Sequence, residues 1–553
     1  MRRRGFRIAL ILVPFAFVFS VEGLLRLFHY GGDTKLFVPA ESPNKSCLRV
    51  NPDIGKKYFY RQSTLPLPPN DVFLKRKSRD SFRIFVLGES TALGFPYGNL
   101  LMFPRILERR IQDAFPGRRV ETVNVSLTAV SSYALLDWMD EILEQKPDAI
   151  LIYAGHNEFY GALGVGSLES AGRNPAVVRL HLKSLRFKWT WLVRDILRRT
   201  VSRFHSRSGA GDAPRSGTLM ERLAAERSIP EGSELYRLAE IQWEGNLGRI
   251  FSKARAAGVP VVIGELVSNV ADQGPFLSSD SWPPASADSA FQAARGFEVR
   301  GRFEEARSAY RRAKDLDLLR FRAPEDFNVI IRRTARRFGA PCVPTWDAFE
   351  SASPNGLVGG NLMVDHLHPN IDGAFLLADA YYRTLKANSF FGPGWDSQSE
   401  LPAEYYRRNW PVTELDTTVA SLMVRQLENG WPFKTRATEN RFLLDFRPGT
   451  PVEDLALRVI FGGMSADRAH FLLARHYEAL GDSAKARREY AVIPCLVHIE
   501  AYACLDRARS FLRAGLPDQA LPLLLKSLET EEIPLARRLA KEIQAGKHRP
   551  ESP

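Results

Sequence analysis

Short apolar runs alternate with helical patterns from residue 82 to residue 387, and this alternation restricts the fold more than any other feature of the chain. Residues 84–87 are a β-branched and apolar run that reads as a buried parallel strand. It stops at Gly88, and a helix-like segment follows over 103–115. Residues 120–126 read as a second strand, trailed by a turn and an amphipathic helix to Gln145. Residues 146–153 form a third, buried strand that ends in Ala154-Gly155-His156-Asn157-Glu158. After a weaker stretch come a helix over 236–257, a fourth strand over 259–265 and a helix over 323–338. A short strand at 342–345 and a closing helix at 373–387 complete the series. Strand and helix in this rhythm predict an α/β fold, a parallel sheet with helices on both faces.

The flanks carry different signals. The 553 residues are 45% apolar and 25% charged, a globular composition with room for two to four domains. The net charge of +13 is scattered and mostly arginine, with no zinc-finger, helix-turn-helix or RNA-binding signature, so no nucleic-acid partner is expected. Four cysteines stand at Cys47, Cys342, Cys495 and Cys504 without a Cys-x-x-Cys pair, which argues against zinc and thioredoxin-like chemistry. Cys47 lacks the small apolar residues expected before a lipidated cysteine.

Arg2-Arg3-Arg4 precedes an almost wholly apolar run over 8–21, interrupted by Glu22 and Arg26. The stretch 8–27 matches the roughly twenty residues a bilayer needs. Residues 1–30 are therefore expected to be an uncleaved signal anchor, a single transmembrane helix with its N-terminus inside and the rest extracytoplasmic. A cleaved signal peptide ending near Val18-Phe19-Ser20 is the alternative. Residues 31–80, rich in Pro, Asn, Asp and Lys, read as a spacer. Residues 163–234, with Trp189 and Trp191, read as an insertion covering one edge of the fold. Within it, 206–216 is rich in Gly and Ser and is expected to be mobile.

A repeat overlies this pattern. Ala474, Tyr477, Gly481, Ala486 and Tyr490 recur 34 positions later as Ala508, Phe511, Gly515, Ala520 and Leu524. Small residues let paired helices approach, aromatics fill the gap and Gly makes the turn, the signature of tetratricopeptide hairpins. The same spacing appears at Ala294, Phe297, Gly301, Ala306 and Tyr310. The expected domains are 81–390 for the α/β unit, with a hairpin at 286–318 inside it, a linker over 391–440 and helical repeats over 441–545. The repeats either bind a protein partner or buttress the α/β unit.

Four side chains then fall after carboxyl ends of strands, where open α/β sheets place their sites. Ser90 follows the first strand. A hydroxyl is a poor nucleophile at neutral pH and needs a base, which His368 supplies. Asp365, three residues earlier, can fix the imidazole tautomer. The developing oxyanion needs donors set in advance, and the Ser90 amide, the Ala129 amide and the Asn157 side chain are placed to meet there.

These residues resemble the SGNH/GDSL hydrolase family over about 82–165 and 235–390. Gly88-Glu89-Ser90 is similar to its first block, with Glu89 where Asp is usual. Asn124-Val125-Ser126-Leu127-Thr128-Ala129 is similar to the second, with Ala129 in place of the oxyanion glycine. A backbone amide survives that exchange, though the methyl crowds the site. Gly155-His156-Asn157-Glu158 and Asp365-His366-Leu367-His368 resemble the third and last blocks. The resemblance implies a flavodoxin-like three-layer fold, catalysis by Ser90, Asp365 and His368, an oxyanion hole of Ser90, Ala129 and Asn157, and no metal or cofactor. With the anchor and the repeats, it points to a bacterial membrane-anchored branch carrying tetratricopeptide repeats. The expected activity is ester hydrolysis on an acylated small molecule, glycan or lipid. An O-acyltransferase with the same triad and an inert repeat scaffold are the competing functions.

Overall fold

The computed structural model describes residues 2–40, 47–62, 64–79, 81–115, 119–207, 218–279, 286–392, 399–434, 440–496, 501–530 and 534–546. The stretch read as a spacer carries three short antiparallel strands, β1 (Phe37–Pro39), β2 (Cys47–Val50) and β3 (Val72–Leu74). They are too short for periodicity to reveal them, and tertiary contacts hold them. Phe37 and Phe73 meet Phe85 of the main sheet at centroid distances of 5.6 Å each. The buried Asp71 accepts the Asn124 amide at 2.7 Å and pairs with Arg105 at 2.6 Å.

The main sheet contains β4 (Ser81–Gly88), β5 (Arg119–Asn124), β6 (Ala149–Tyr153), β7 (Val261–Gly264) and β8 (Cys342–Val343). All pairings are parallel and the spatial order is β5-β4-β6-β7-β8. Within this sheet that is the doubly wound order 2-1-3-4-5. β4 and β6 are buried at every residue, which requires helices against both faces. The helices form two packed groups. Phe103–Ala114 lies against Ile371–Ala387, and Ser132–Glu144 lies against Glu234–Ala256, which in turn meets Glu325–Phe338. The order reverses beside β4, so the carboxyl ends of β4 and β6 flank the switch point where such folds bind ligands.

The expected membrane anchor is corrected. Among the described residues no helix is long and apolar enough to cross a membrane. The reading of residues 1–30 as a transmembrane signal anchor falls with that finding, and with it the single-pass membrane localisation and the anchoring of the chain through this helix. The helix Arg2–Leu27 instead packs against Lys188–Arg207. The charges that interrupt its apolar run serve this contact. Glu22 is buried, pairs with Arg26 at 2.7 Å and accepts the Trp189 amide at 3.0 Å, while Arg26 donates to the Arg186 carbonyl. Most of the 206–216 stretch lies outside the described residues.

Beyond the sheet, Ala287–Val299 pairs with Phe303–Leu316, Ala466–Ala479 with Ser483–Leu496, and Ala501–Arg513 with Pro517–Thr530. The turns fall at Gly301, Gly481 and Gly515, whose φ angles of 69°, 77° and 74° favour glycine. The small residues Ala294, Ala306, Ala474, Ala486, Ala508 and Ala520 are all buried where the paired helices approach.

Candidate active site

β4 ends at Gly88, where a side chain has no room. A Cβ there would lie 2.3 Å from the Ala92 Cβ and 2.8 Å from the Tyr153 carbonyl. The chain passes through Glu89 into a one-turn helix, Ser90–Leu93, that begins with the serine. The Ser90 amide is the first of that helix, and opening helical amides have no intrahelical acceptor. Asn124 ties the next strand end to this turn. Its Nδ2 donates to the Ala92 carbonyl at 2.7 Å, and its Oδ1 accepts the Ser126 amide at 3.0 Å.

Ser90 and His368 are 278 positions apart in sequence, yet Ser90 Oγ lies 2.8 Å from His368 Nε2. His368 Nδ1 lies 2.6 Å from Asp365 Oδ2. Asp365 Oδ1 accepts the amides of Leu367 and His368 at 2.9 and 2.8 Å. Burial opposes ionisation of Asp365, but the imidazoles of His368 and His366 outweigh it and hold the carboxyl well below its ordinary range. An ionised Asp365 fixes the His368 proton on Nδ1 and leaves Nε2 to accept the Ser90 hydroxyl proton. The Phe95 ring packs on His368 at a centroid distance of 4.5 Å.

The remaining sequence candidates sit on neighbouring strand ends. Asn157 is buried on the loop after β6. That loop needs Gly155, whose φ is 134° and whose added Cβ would lie 2.6 Å from Leu266 Cδ1. Sequence reasoning gave Glu89 no role, yet its carboxylate organises the loop. It accepts the amides of Gly155, His156 and Asn157 at 3.0, 3.1 and 3.4 Å. Burial and then the nearby Glu158 push the Glu89 carboxyl well above the ordinary range. A Glu where Asp is usual, between Gly88 and Ser90, was the available signal, but that its side chain gathers three amides emerges only in the fold.

Ala129 stands with φ at 58°, a conformation that favours glycine, and its carbonyl accepts the Ala162 amide at 2.8 Å. The left-handed region costs a non-glycine residue about 1–2 kcal/mol. Ala129→Gly is therefore expected to stabilise the fold by about 1 kcal/mol, a gain partly offset by the looser unfolded chain. Chemical denaturation checks it, and a destabilised variant would refute the strain.

Glu158 holds the start of the helix Ser132–Glu144. It accepts the Ser132 amide at 2.6 Å and the Ser132 hydroxyl at 2.8 Å. Burial raises its carboxyl to about 7 against those two bonds. The folded value lies above the ordinary 4.5, so this group's contribution is complete below pH 4.5 and is lost as pH rises through 7. Glu158→Gln is expected to remove that part of the pH dependence, seen as a flatter melting-temperature profile between those limits. Parallel profiles for the two proteins would contradict it.

Asp365, His366 and His368 place one potential ligand atom each within 4.8 Å of one another. Asp365 is already bonded to His368 and two amides, and a cation held by this set would compete for the imidazole that reaches Ser90. The donor set therefore fits acid–base work on a serine better than metal binding.

No family model matches the chain, and no curated protein matches it. Solved structures match partially. TesA is 14% identical, covering 55% of this chain and 98% of its own, with a TM-score of 0.27. A catalytic mutant of Axe2, an acetylxylan esterase from Geobacillus stearothermophilus, is 12% identical, covering 56% and 96%, with a TM-score of 0.29. The lipase/acylhydrolase from Enterococcus faecalis is 12% identical, covering 56% and 96%, with a TM-score of 0.27. Likeness at this level adds nothing to the geometry described above.

Proposed function

We propose that this protein is a serine esterase of the SGNH/GDSL type, acting on an acylated small molecule, glycan or lipid. The observation that supports it is the unbroken chain from Ser90 Oγ through the His368 ring to Asp365, with links of 2.8 and 2.6 Å, at the switch point of the sheet. In this reading Ser90 Oγ attacks the ester carbonyl carbon while its proton passes to His368 Nε2. The oxyanion takes hydrogen bonds from the Ser90 and Ala129 amides and the Asn157 side chain. His368 then protonates the leaving alkoxide, and an acyl group remains on Ser90. Water gives a proton to His368 and attacks the acyl carbon, and the returned proton restores the serine hydroxyl.

We also propose that residues 81–390 form the hydrolase domain and that the helical pairs over 441–545, with the one at 286–318, are of the tetratricopeptide type. The helix Ser483–Leu496 packs against Gly98–Leu100, which supports a buttressing role for the C-terminal helices. The purified full chain is expected to hydrolyse p-nitrophenyl acetate and to be labelled by a fluorophosphonate. Transfer of the acetyl group to an added polyol in preference to water would mark an acyltransferase. Inertness toward short and long acyl esters and toward the fluorophosphonate would leave only the scaffold.

A further inference from the structure

The amino edge of the main sheet, opposite the triad, carries a basic hollow that the proposed reaction does not use. Its volume is about 590 Å³. Five cations line it: Lys75, Arg76, Lys77 and Arg79 from the loop before β4, and Lys146 from the turn before β6. Lys75, Arg76, Arg79 and Lys146 are exposed to solvent. Among the described residues Glu144 is the only carboxylate on the wall, and only Lys77 of the five cations has an ion pair, with Asp148. Like charges gathered in a concave site repel one another and hold a positive potential that attracts anions.

A buried arginine holds the two sides of the hollow together. Arg83 is fully buried and pairs with Glu121 at 2.8 Å. Its Nη2 donates to the Leu74 carbonyl at 2.7 Å and its Nη1 to the Gln145 carbonyl at 2.9 Å. Leu74 precedes the loop with four cations and Gln145 precedes Lys146, so one guanidinium fixes both segments. Asp148 locks the same junction. Its carboxylate accepts the Arg83 amide at 2.6 Å and the Lys77 ammonium, and its amide donates to the Arg83 carbonyl at 2.8 Å. Lys146 follows the helix Ser132–Glu144 with a φ of 55°, the left-handed position that favours glycine at a helix end. A cation there suits the helix dipole, but glycine would relieve the backbone. The lysine keeps an ammonium at the hollow in spite of that strain.

We propose that this hollow binds a soluble small molecule carrying two or more linked phosphate groups. The site stands apart from the esterase reading. Asp148 neutralises Lys77 and Glu144 offsets one more cation, which leaves three of the five unbalanced. One phosphate brings about two negative charges at most, whereas a di- or triphosphate balances all three cations. The forks of Arg76 and Arg79 match pairs of phosphate oxygens, and the lysines add point charges. A concave site of this size fits a small molecule, while a nucleic acid is met by an extended basic face. The hollow lies at the strand starts and Ser90 beyond the end of the eight-residue β4, roughly 25 Å away. An occupant therefore does not touch the triad.

Isothermal titration calorimetry of the full chain with sodium tripolyphosphate tests the site. Tripolyphosphate is expected to bind about a hundredfold more tightly than inorganic phosphate, because it makes further charge-assisted hydrogen bonds. Arg76→Gln and Arg79→Gln should each weaken it about tenfold and leave the urea midpoint of the free protein unchanged. Lys146→Gly separates binding from folding. It should lose about tenfold in affinity, yet unfold at no lower urea concentration than wild type, because glycine accepts the left-handed backbone. Tripolyphosphate that binds no better than phosphate, or equally well to wild type and all three variants, overturns the site. A single-stranded DNA oligonucleotide or phosphatidylglycerol vesicles that bind more tightly than tripolyphosphate, and lose that binding in the same variants, overturn the small-molecule ligand in favour of that surface.

Discussion

Ser90→Ala is expected to lower kcat for p-nitrophenyl acetate by about 10⁵–10⁶ and to abolish fluorophosphonate labelling. The loss is large because the alanine methyl offers no electron pair to the carbonyl carbon. His368 and Asp365 then have no proton to move, and only the oxyanion donors and substrate binding remain. The fold should tolerate the change. Ser90 is small, and the bond lost to His368 is worth about 1 kcal/mol. Circular dichroism and melting temperature establish that the variant is folded, and intact mass shows whether an adduct forms. A folded Ser90→Ala protein that still gains the mass of the phosphonate would place the nucleophile elsewhere.

The largest expected effect on stability lies away from the triad. His470 is 1% exposed, with Nδ1 at 2.6 Å from Glu489 and Nε2 at 3.2 Å from Asp416. Thr413 also donates to Glu489, so the cluster joins the helices Glu414–Glu428, Ala466–Ala479 and Ser483–Leu496. Burial opposes a charge on His470, but the two carboxylates prevail and raise the imidazole to about 9. The folded value exceeds the ordinary 6.5. The contribution is therefore complete below pH 6.5 and disappears as pH rises through 9. His470→Leu fills the volume but leaves two carboxylates without their cation, which costs about 3–5 kcal/mol at pH 7. Urea unfolding of the full chain measures it, and the gap to wild type should narrow above pH 9. A His470→Leu protein as stable as wild type at pH 7 would show that the cluster is solvated.

Much of the architecture was legible because its cause is local. Strands buried on both faces must be apolar along their length, so 84–87, 120–126 and 146–153 announced β4, β5 and β6 within a few residues at their ends. A 34-residue recurrence of small, aromatic and glycine positions likewise placed turns at Gly481 and Gly515, because helix pairing imposes it. Ser90, Ala129 and Asn157 stood out because they follow strand ends, and Asp365 and His368 because their three-residue spacing before the closing helix resembles the last block of the SGNH/GDSL pattern. The run over 8–27 misled because apolar content alone does not settle what a helix meets: Val13, Phe17, Phe19 and Leu24 stay exposed, yet no described helix is long and apolar enough to cross a membrane. Its charges Glu22 and Arg26 meet protein groups at Trp189 and Arg186. The stretch 31–80 misled for the opposite reason, since three-residue strands carry no periodicity.

By itself, the sequence determined the parallel α/β series and the helical pairs, because each depends on neighbours a few positions away. Only the tertiary structure decided that Ser90 and His368 meet at 2.8 Å, that Glu89 gathers three amides, and that Phe433 stands against His366. Those contacts join segments tens to hundreds of residues apart. No local pattern encodes them, because they form only when the whole core closes.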